Sequence, residues 1–144
     1  GGITEDSIIR KKMMEKRLKK KEIDKSDFIE PREFGNKNAE IGIIGIGSTY
    51  GVIRTSMNLL EKDNIHIKYL QIRMLQPFPY KSVKKFVDHC SIVYIVEQNA
   101  TGQLARQILY HLGIPEKNKK FKSIRRFDGL AIKPMEIINR IIKR

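Results

Sequence analysis

The sequence predicts a single α/β domain whose parallel sheet is covered by helices on both faces, with an appended segment at its start. Short runs rich in Ile, Val and Tyr alternate with longer segments of helical periodicity, and this alternation is typical of parallel α/β sheets. A length of 144 residues, 40% of them hydrophobic, is enough for one such domain with a substantial core. No apolar run approaches the ~20 residues that span a bilayer, so we expect a soluble, cytoplasmic protein without a membrane partner.

The first segment predicts a charged helix over residues 5–21. Thr4 can cap this helix, and acidic residues in its first turn and lysines in its last are in the order that the helix dipole favours. Its apolar residues fall on two sides, Ile9 with Met13 and Met14 with Leu18. Such a helix needs contacts on two sides, and the chain opens Gly-Gly without Met, so we expect a piece of a longer protein.

A polar connecting segment follows the helix and holds Pro31 and Gly35. The proline confines its one short candidate strand, near residues 28–34, to an edge of the sheet. We therefore divide the chain into a linker helix with its connecting segment, residues 1–35, and an α/β domain, residues 36–144, to which the short strand can also belong.

The first strand of the domain proper, residues 39–46, is rich in isoleucine and predicted to be buried. Gly42 and Gly45 within it permit the close approach of a neighbouring element. Ser48 or Thr49 then caps a helix. The predicted sheet-facing residues of that helix are Val52, Ile53, Ser56, Met57 and Leu60.

The third strand covers residues 65–72 and leads into a stiff connection, Leu-Gln-Pro-Phe-Pro. Pro79 stands at the first position of the next helix, and the apolar face of that helix is formed by Tyr80, Val83 and Val87. Arg73 and Gln76 flank the carboxyl end of the strand and are candidates for an anion or subunit contact.

Residues 91–96 are predicted to form the central strand, because a short β-branched and aromatic run is typical of a strand buried on both faces. Gly102 lets the chain turn sharply into a helix with an apolar stripe formed by Leu104, Ile108 and Leu112. Polar loops at the carboxyl ends of strands are where sites form in open α/β sheets. The loop between this strand and the following helix is therefore the first candidate site. The alternative is that its polar residues only cap the helix. Those residues are Glu97, Gln98, Asn99 and Thr101.

The C-terminal part of the sequence predicts one more strand and one more helix. The preceding helix ends at Gly113, and residues 121–127 form a weak edge strand whose lysines and arginines oppose edge-to-edge pairing. Pro134 opens the last helix. Its predicted apolar stripe is Met135, Ile138 and Ile142, with Ile137 and Ile141 beside it.

The turn at residues 45–51, Gly-Ile-Gly-Ser-Thr-Tyr-Gly, invites a nucleotide-binding interpretation, because glycines before a helix leave backbone N–H groups free for phosphate. The spacing is GxGxxxG rather than GxGxxG, and no acidic residue stands about twenty positions on to hold a ribose. A tight capping turn is therefore favoured, although the turn can still face a partner's ligand. The complete set of candidate interface or anion-binding residues is Gly47, Ser48, Thr49, Tyr50, Arg73, Gln76, Glu97, Gln98, Asn99 and Thr101.

The charge balance points to an anionic or acidic partner without identifying it. The chain has 29 Lys and Arg against 16 Asp and Glu, a formal charge of +13. Much of the excess lies in residues 10–21 and 117–126 rather than in a stripe interleaved with aromatics for stacking on bases. A solvated or partner-facing surface is therefore favoured over specific nucleic-acid binding.

The one cysteine and three histidines of the sequence do not indicate a catalytic or metal site. Cys90 is the single cysteine, so the chain holds no internal disulfide and no iron–sulfur cluster with four thiolate ligands. Where a helix meets a strand, a buried, inert thiol is expected. His66, His89 and His111 fall in three different elements. We predict no catalytic, cofactor-binding or metal-binding residue in this chain.

Three motifs carry a resemblance to a known family. Val-Glu-Gln-Asn-Ala-Thr-Gly-Gln-Leu-Ala, the glycine turn and Leu-Gln-Pro-Phe-Pro resemble, in order and spacing, the alpha subunit of 2-oxoacid:ferredoxin oxidoreductases in its transketolase C-terminal-like domain. The basic N-terminal helix and the segment Arg-Arg-Phe-Asp-Gly-Leu-Ala-Ile-Lys-Pro-Met-Glu-Ile also look like that family. The resemblance implies a three-layer α/β/α domain on a five-stranded, mostly parallel mixed sheet, with the first short strand antiparallel.

The resemblance also implies the activity of a larger enzyme. That enzyme oxidatively decarboxylates a 2-oxo acid with coenzyme A, uses thiamine diphosphate, Mg²⁺ and iron–sulfur clusters, and reduces ferredoxin. This chain has no Gly-Asp-Gly with a downstream Asn pair and one cysteine only, so we expect it to be inactive alone. Its implied role is assembly with the remaining domains of the alpha subunit and a thiamine-binding beta subunit. A basic nucleic-acid-binding module and a stand-alone nucleotide-binding domain are the alternatives.

Overall fold

The computed structural model describes residues 6–19 and 27–143 and contains one five-stranded sheet. The strands are β1 (Arg32–Gly35), β2 (Ile41–Ile46), β3 (Ile67–Ile72), β4 (Ile92–Glu97) and β5 (Phe121–Arg125), in the spatial order β1-β3-β2-β4-β5. β1 pairs antiparallel with β3, and the other neighbours pair in parallel. The expected five-stranded mixed sheet is confirmed. Since β1 is hydrogen-bonded into it, the short edge strand belongs to the sheet, while the division of the chain at residue 35 stays a prediction.

The described residues form five helices, and the last four of them cover the two faces of the sheet. The five helices are α1 (Ser7–Lys19), α2 (Thr49–Lys62), α3 (Tyr80–Asp88), α4 (Gln103–Leu112) and α5 (Pro134–Ile142). Side chains of α2 and α5 pack on one face of the sheet, against Ile43 and Tyr69. Those of α3 and α4 pack on the other face, against Ile44 and Ile95. The chain therefore buries a separate hydrophobic cluster on each side of one sheet.

The strand of residues 91–96 is not the central one. It is β4, which lies between β2 and the edge strand β5, and the middle position belongs to β2. Every interior strand of a sheet covered on both sides is apolar on both faces. Composition therefore marks a strand as interior without distinguishing the third position from the fourth.

The N-terminal helix α1 leaves its apolar side chains exposed in the described part of the chain. Asp6 begins it, with its carboxylate accepting the backbone N–H groups of Ile8 and Ile9 at 2.8 and 3.1 Å. The predicted cap, Thr4, lies outside the described residues. All the described side chains of α1 are exposed, including those of Met13 and Met14. The apolar residues on both sides of α1 are therefore not buried by the described part of the domain.

The predicted N-cap position of Ser48 in α2 is confirmed but without a side-chain cap bond, and two predicted details of α3 are wrong. Ser48 occupies the N-cap position of α2 with helical backbone angles and makes no side-chain cap bond, while the hydroxyl of Thr49 donates to Ile46 O at 2.9 Å. Pro79 is the N-cap of α3 rather than its first helical residue. Tyr80 is 45% exposed, and Phe86 takes its place on the buried face. Local backbone angles, which the sequence pattern does not determine, decide these helix ends.

The buried face of α5 also differs from the predicted one. Ile137, Ile138 and Ile141 are buried, whereas Met135 and Ile142 are 54% and 55% exposed. The five apolar residues fit either of two helical phases. The packing of α5 against α2, where Ser56 Oγ donates to Pro134 O at 3.3 Å, selects one.

The glycines of β2 allow close packing on both faces, as predicted. A Cβ at Gly42 would lie 2.5 Å from Cys90 Sγ and 2.8 Å from Phe86, and one at Gly45 would lie 2.5 Å from Ile53. Cys90 is buried as expected, and burial raises the pKa of its thiol.

A buried lysine that sequence reasoning missed holds the end of α3. Lys68 in β3 is 2% exposed, and its ammonium group donates to His89 O, at the C-terminal cap of α3, at 3.0 Å. A cation is favoured there by the negative end of the helix dipole. Lys68 therefore ties α3 to the strand below it.

Candidate functional site at the carboxyl edge of the sheet

A cleft of about 580 Å³ opens where β2, β3 and β4 end. Beyond it the chain leaves β2 for α2 on one face of the sheet and leaves β4 for α4 on the other. In open α/β sheets, ligands bind in the crevice where neighbouring connections diverge in this way. The cleft is lined by Ile46, Gly47, Ser48, Thr49, Leu75, Gln76, Glu97, Gln98, Asn99, Gln103, Leu104 and Gln107.

Seven of the ten candidate residues line this cleft. They are Gly47, Ser48, Thr49, Gln76, Glu97, Gln98 and Asn99. Tyr50 instead packs beside Phe34 and Tyr69, with ring centres 5.6 and 6.3 Å apart. Arg73 and Thr101 are exposed and do not line the cleft. The structure therefore brings together most of the candidate residues, which come from the ends of β2, β3 and β4 or from the connections that follow them.

Glu97 and Asn99 close the amino end of α4. The Glu97 carboxylate, 2% exposed, accepts the N–H groups of Leu104 at 2.7 Å and Ala105 at 3.2 Å, and the Asn99 side-chain amide at 2.6 Å. Asn99 Oδ1 accepts the N–H groups of Gly102 and Gln103. These are the donors that a phosphate at a helix amino end would use. The protein's own side chains already satisfy them.

Gln98 makes different contacts from its two neighbours. Its Oε1 accepts the Ser48 hydroxyl at 3.2 Å, and its Nε2 donates to Leu130 O at 3.3 Å. Gln98 thus bridges the connections that follow β2 and β5, and its side chain is exposed. None of its hydrogen bonds goes to α4 in the described part of the chain. Its side chain lies at the mouth of the cleft.

The cleft is rich in carboxamides, and the one charged side chain among its described lining residues, Glu97, directs its carboxylate to the N–H groups of α4. Gln76, Gln98, Gln103 and Gln107 each carry one acceptor and two donors, and Leu75, Leu104 and Ile46 supply apolar surface. No lysine or arginine is among the described residues that line it. Such a surface matches a polypeptide backbone, which also presents donors and acceptors without charge, better than it matches a phosphate.

Neither the cysteine content nor the cleft fits the cofactors that the resemblance implies. An iron–sulfur cluster needs about four thiolates, and the chain has one cysteine. Within residues 6–19 and 27–143, no three His, Cys, Asp or Glu side chains come together to hold a metal ion. The cleft offers no cation to the phosphates of coenzyme A or thiamine diphosphate.

A loop beside the cleft, residues 126–133, was missed by sequence reasoning; we refer to it as the Arg126 loop. Its first residue donates two hydrogen bonds to the Asp128 carboxylate, at 2.9 and 3.0 Å, and a third to Glu136. Asp128 also accepts the N–H of Leu130 at 3.0 Å, and Glu136 accepts that of Lys133. The predicted edge strand ends at Arg125, before this loop, rather than at residue 127. The sequence marked this segment through the family resemblance, and the spacing of arginine and aspartate was the available signal for its hydrogen bonds.

We expect Asp128 to titrate well below the usual range. Hydrogen bonding from Arg126, and then from the Leu130 N–H, lowers the pKa of Asp128 from 3.8 to about 2. Because the folded pKa lies below the unfolded one, the stabilisation is complete above about pH 4 and is lost as the pH falls through about 2. An NMR titration of the side-chain carboxyl carbon measures this value. A folded-state pKa near 3.8 would contradict the hydrogen-bonded loop, and Asp128→Asn should lose less stability on acidification than the parent.

The architecture is that of a transketolase-like α/β domain. The structure is similar to a split-gene transketolase, with a TM-score of 0.64, 16% identity and coverage of 85% of this chain and 44% of that one. At this identity the similarity shows the fold alone. No described helix is long and apolar enough to cross a membrane.

Residues 39–137 match the family model described as pyruvate:ferredoxin oxidoreductase core domain II. The chain belongs to this family, and the resemblance to 2-oxoacid:ferredoxin oxidoreductase alpha subunits is confirmed. One relative is the alpha subunit of the 2-oxoacid:ferredoxin oxidoreductase of Saccharolobus solfataricus, 35% identical over 119 residues, which are 79% of this chain and 18% of the relative. An alpha subunit from Aeropyrum pernix is 29% identical over 140 residues, 95% of this chain and 21% of the relative.

A solved structure covers nearly the whole chain. It is the 2-oxoglutarate:ferredoxin oxidoreductase from Magnetococcus marinus with 2-oxoglutarate, coenzyme A and succinyl-CoA bound. The TM-score is 0.76 at 27% identity, over 99% of this chain and 24% of that one. The chain spans about a fifth of the length of the curated relatives it matches.

Proposed function

We propose that this chain is the C-terminal domain of the alpha subunit of a 2-oxoacid:ferredoxin oxidoreductase, and that it serves assembly rather than chemistry. The whole enzyme converts a 2-oxo acid to acyl-CoA and reduces ferredoxin. The observation that supports the proposal is the carboxamide-rich cleft without lysine or arginine at the carboxyl edge of the sheet. In a domain of this family, such a cleft has the chemistry of a protein interface.

The proposal assigns the reacting groups to other parts of the complex. Thiamine diphosphate, Mg²⁺, the iron–sulfur clusters and coenzyme A would be held elsewhere, because the residues described here do not fit them. The partners are the remaining domains of the alpha subunit, a thiamine-binding beta subunit and ferredoxin as acceptor, in the cytoplasm. Residues 1–35 would link this domain to the rest, and the short strand β1 at the end of this segment can also belong to the domain.

Within the cleft, the proposal gives Glu97 and Gln98 opposite roles. Glu97 stabilises this domain, because its carboxylate is buried and fully used by α4. Gln98 is exposed and holds only two long hydrogen bonds, of 3.2 and 3.3 Å. Its carboxamide can therefore exchange these bonds for partner groups at little cost to the fold. The interface would be centred on Gln98.

Replacing Gln98 and Asn99 separately tests the proposal. Asn99→Ala should destabilise the isolated chain by about 1 to 2 kcal/mol, because it removes the acceptor for two N–H groups of α4. Gln98→Ala should change the isolated chain by less than about 0.5 kcal/mol. It should instead weaken assembly of the complete alpha and beta subunits by about 1 to 3 kcal/mol, because partner groups are left unpaired.

Urea unfolding of the chain and sedimentation of the co-expressed subunits give the two readouts. Asn99→Ala is the matched control, since it changes the adjacent residue without removing the proposed contact. Normal assembly of the Gln98→Ala enzyme would refute an interface at this cleft.

A further inference from the structure

The Arg126 loop displays two large apolar side chains on a fixed backbone. Phe127 is 69% exposed and Leu130 is 59% exposed. Aromatic residues such as phenylalanine are enriched in protein interfaces, and neighbouring exposed apolar side chains on a surface mark interaction sites. Nothing in the described part of the chain covers either side chain.

Hydrogen bonds hold the loop at its start and in its middle. At its start the Arg126 guanidinium is held by the carboxylates of Asp128 and Glu136, and its side chain is only 17% exposed. In the middle, Gly129 has a φ of +84°, which favours glycine, and the carbonyl of Leu130 accepts the Gln98 amide. The loop therefore has its bound shape before a partner arrives, and docking orders little additional chain.

The charges of the loop indicate what kind of surface it fits. Arg126 forms ion pairs with Asp128 and Glu136, and with Lys133 the loop and Glu136 together carry two positive and two negative charges. The exposed side chains are thus apolar within a nearly neutral frame, so the complementary surface is an apolar pocket. An acidic partner or a nucleic acid would gain little here, because such partners are attracted by unbalanced positive charge.

We propose that the Arg126 loop is a preformed anchor whose Phe127 and Leu130 insert into an apolar pocket of the remaining part of the same alpha polypeptide. This inference rests on the proposed function. The loop is continuous with the proposed interface, because Gln98 hydrogen-bonds to Leu130 at the mouth of the cleft. Curated relatives are about five times as long as this chain, which places most of an alpha subunit outside it.

The test uses the full-length alpha subunit, purified with and without its beta subunit. The double variant Phe127→Ser, Leu130→Ser removes the anchor while keeping the hydrogen bonds of the loop. We expect limited proteolysis between this domain and the rest of the alpha subunit to become at least about tenfold faster, because these side chains would carry much of the contact. The unfolding temperature of this domain should stay the same, since both side chains are already exposed.

Two further variants give the test its controls. Tyr110→Ser removes an aromatic side chain that is 80% exposed on α4, and it should leave proteolysis at the parent rate. Gly129→Ala keeps Phe127 and Leu130 but strains the left-handed position, so it should give an intermediate rate.

The outcomes separate the possible occupants. The Phe127→Ser, Leu130→Ser alpha subunit could be cleaved at the parent rate and yet fail to bind the beta subunit. That result would place the pocket in the beta subunit and overturn the proposal. A parent alpha subunit that dimerises through this loop would also overturn it, in favour of a second copy. The proteolysis readout does not depend on turnover. Absence of 2-oxo acid-dependent ferredoxin reduction by the parent complex would therefore refute the proposed function alone.

Discussion

Replacing Glu97 by alanine is expected to destabilise the isolated domain by about 3 to 5 kcal/mol, because three donors lose their acceptor. These donors are the N–H groups of Leu104 and Ala105 and the side-chain amide of Asn99. Each buried donor left without a partner costs about 1 to 3 kcal/mol, and the amino end of α4 also loses a favourable negative charge. The unfolding temperature should fall by roughly 10 °C or more.

Chemical denaturation followed by circular dichroism measures this loss. Glu116→Ala is the matched control, because its carboxylate is 75% exposed and makes one ion pair of 3.9 Å with Arg106. It should change the free energy of unfolding by less than about 0.5 kcal/mol. If Glu97→Ala unfolds within about 1 kcal/mol of the parent, the carboxylate does not hold α4 in the way described.

Replacing Gly42 by alanine should cost about 2 to 3 kcal/mol through overpacking. The new methyl group would meet Cys90 Sγ at 2.5 Å and Phe86 at 2.8 and 3.1 Å. The added carbon would lie between β2 and α3, where Phe86 and Cys90 are 3% and 4% exposed. Close-packed interiors have no free volume for an added carbon, so the helix must shift away from β2.

A second glycine provides the control for this substitution. Gly51 lies in α2, and a Cβ there would meet nothing within 4 Å. Gly51→Ala should therefore stabilise the domain by about 0.5 to 1 kcal/mol, because alanine restricts the unfolded chain and favours a helix. Equal effects of the two substitutions in thermal unfolding would show that packing at Gly42 does not limit stability.

The strands and helices were predictable because each leaves a local periodic pattern. Runs of isoleucine and valine located the interior strands, and Gly102 and Gly113 located the two ends of α4, where both residues have positive φ. The spatial order of the strands was not available from such patterns. The antiparallel direction of β1 followed only from the family resemblance, since four residues at an edge carry no signal of direction.

Which residues line the cleft was easier to predict from the sequence than what each of their side chains does. Carboxyl ends of parallel strands meet at one edge, so Ser48, Gln76 and Gln98 come together even though they are distant in sequence. Which side chain serves the fold depends on how the chain turns at Gly102. That turn points Glu97 at the N–H groups of residues 104 and 105 and leaves Gln98 outside. No spacing rule distinguishes these two neighbours.

The features that sequence reasoning missed depend on contacts between distant residues. Lys68 is buried because the end of α3 lies above it, 21 residues further along the chain at His89. Arg126 is held by Glu136 across ten positions and Leu130 by Gln98 across 32. Local patterns report neighbours on one strand or one helix turn. They carry no information about such pairs.

The divergence of the chain beyond β2 and β4 has a mechanical consequence. One wall of the cleft continues into α2 and the other into α4, so each wall moves with a different helical layer. Sliding of one layer over the sheet would widen or narrow the opening. A segment wedged between the walls would resist that shear and hold the two layers in fixed alignment. A segment bound in the cleft would thereby stiffen the domain across all three of its layers.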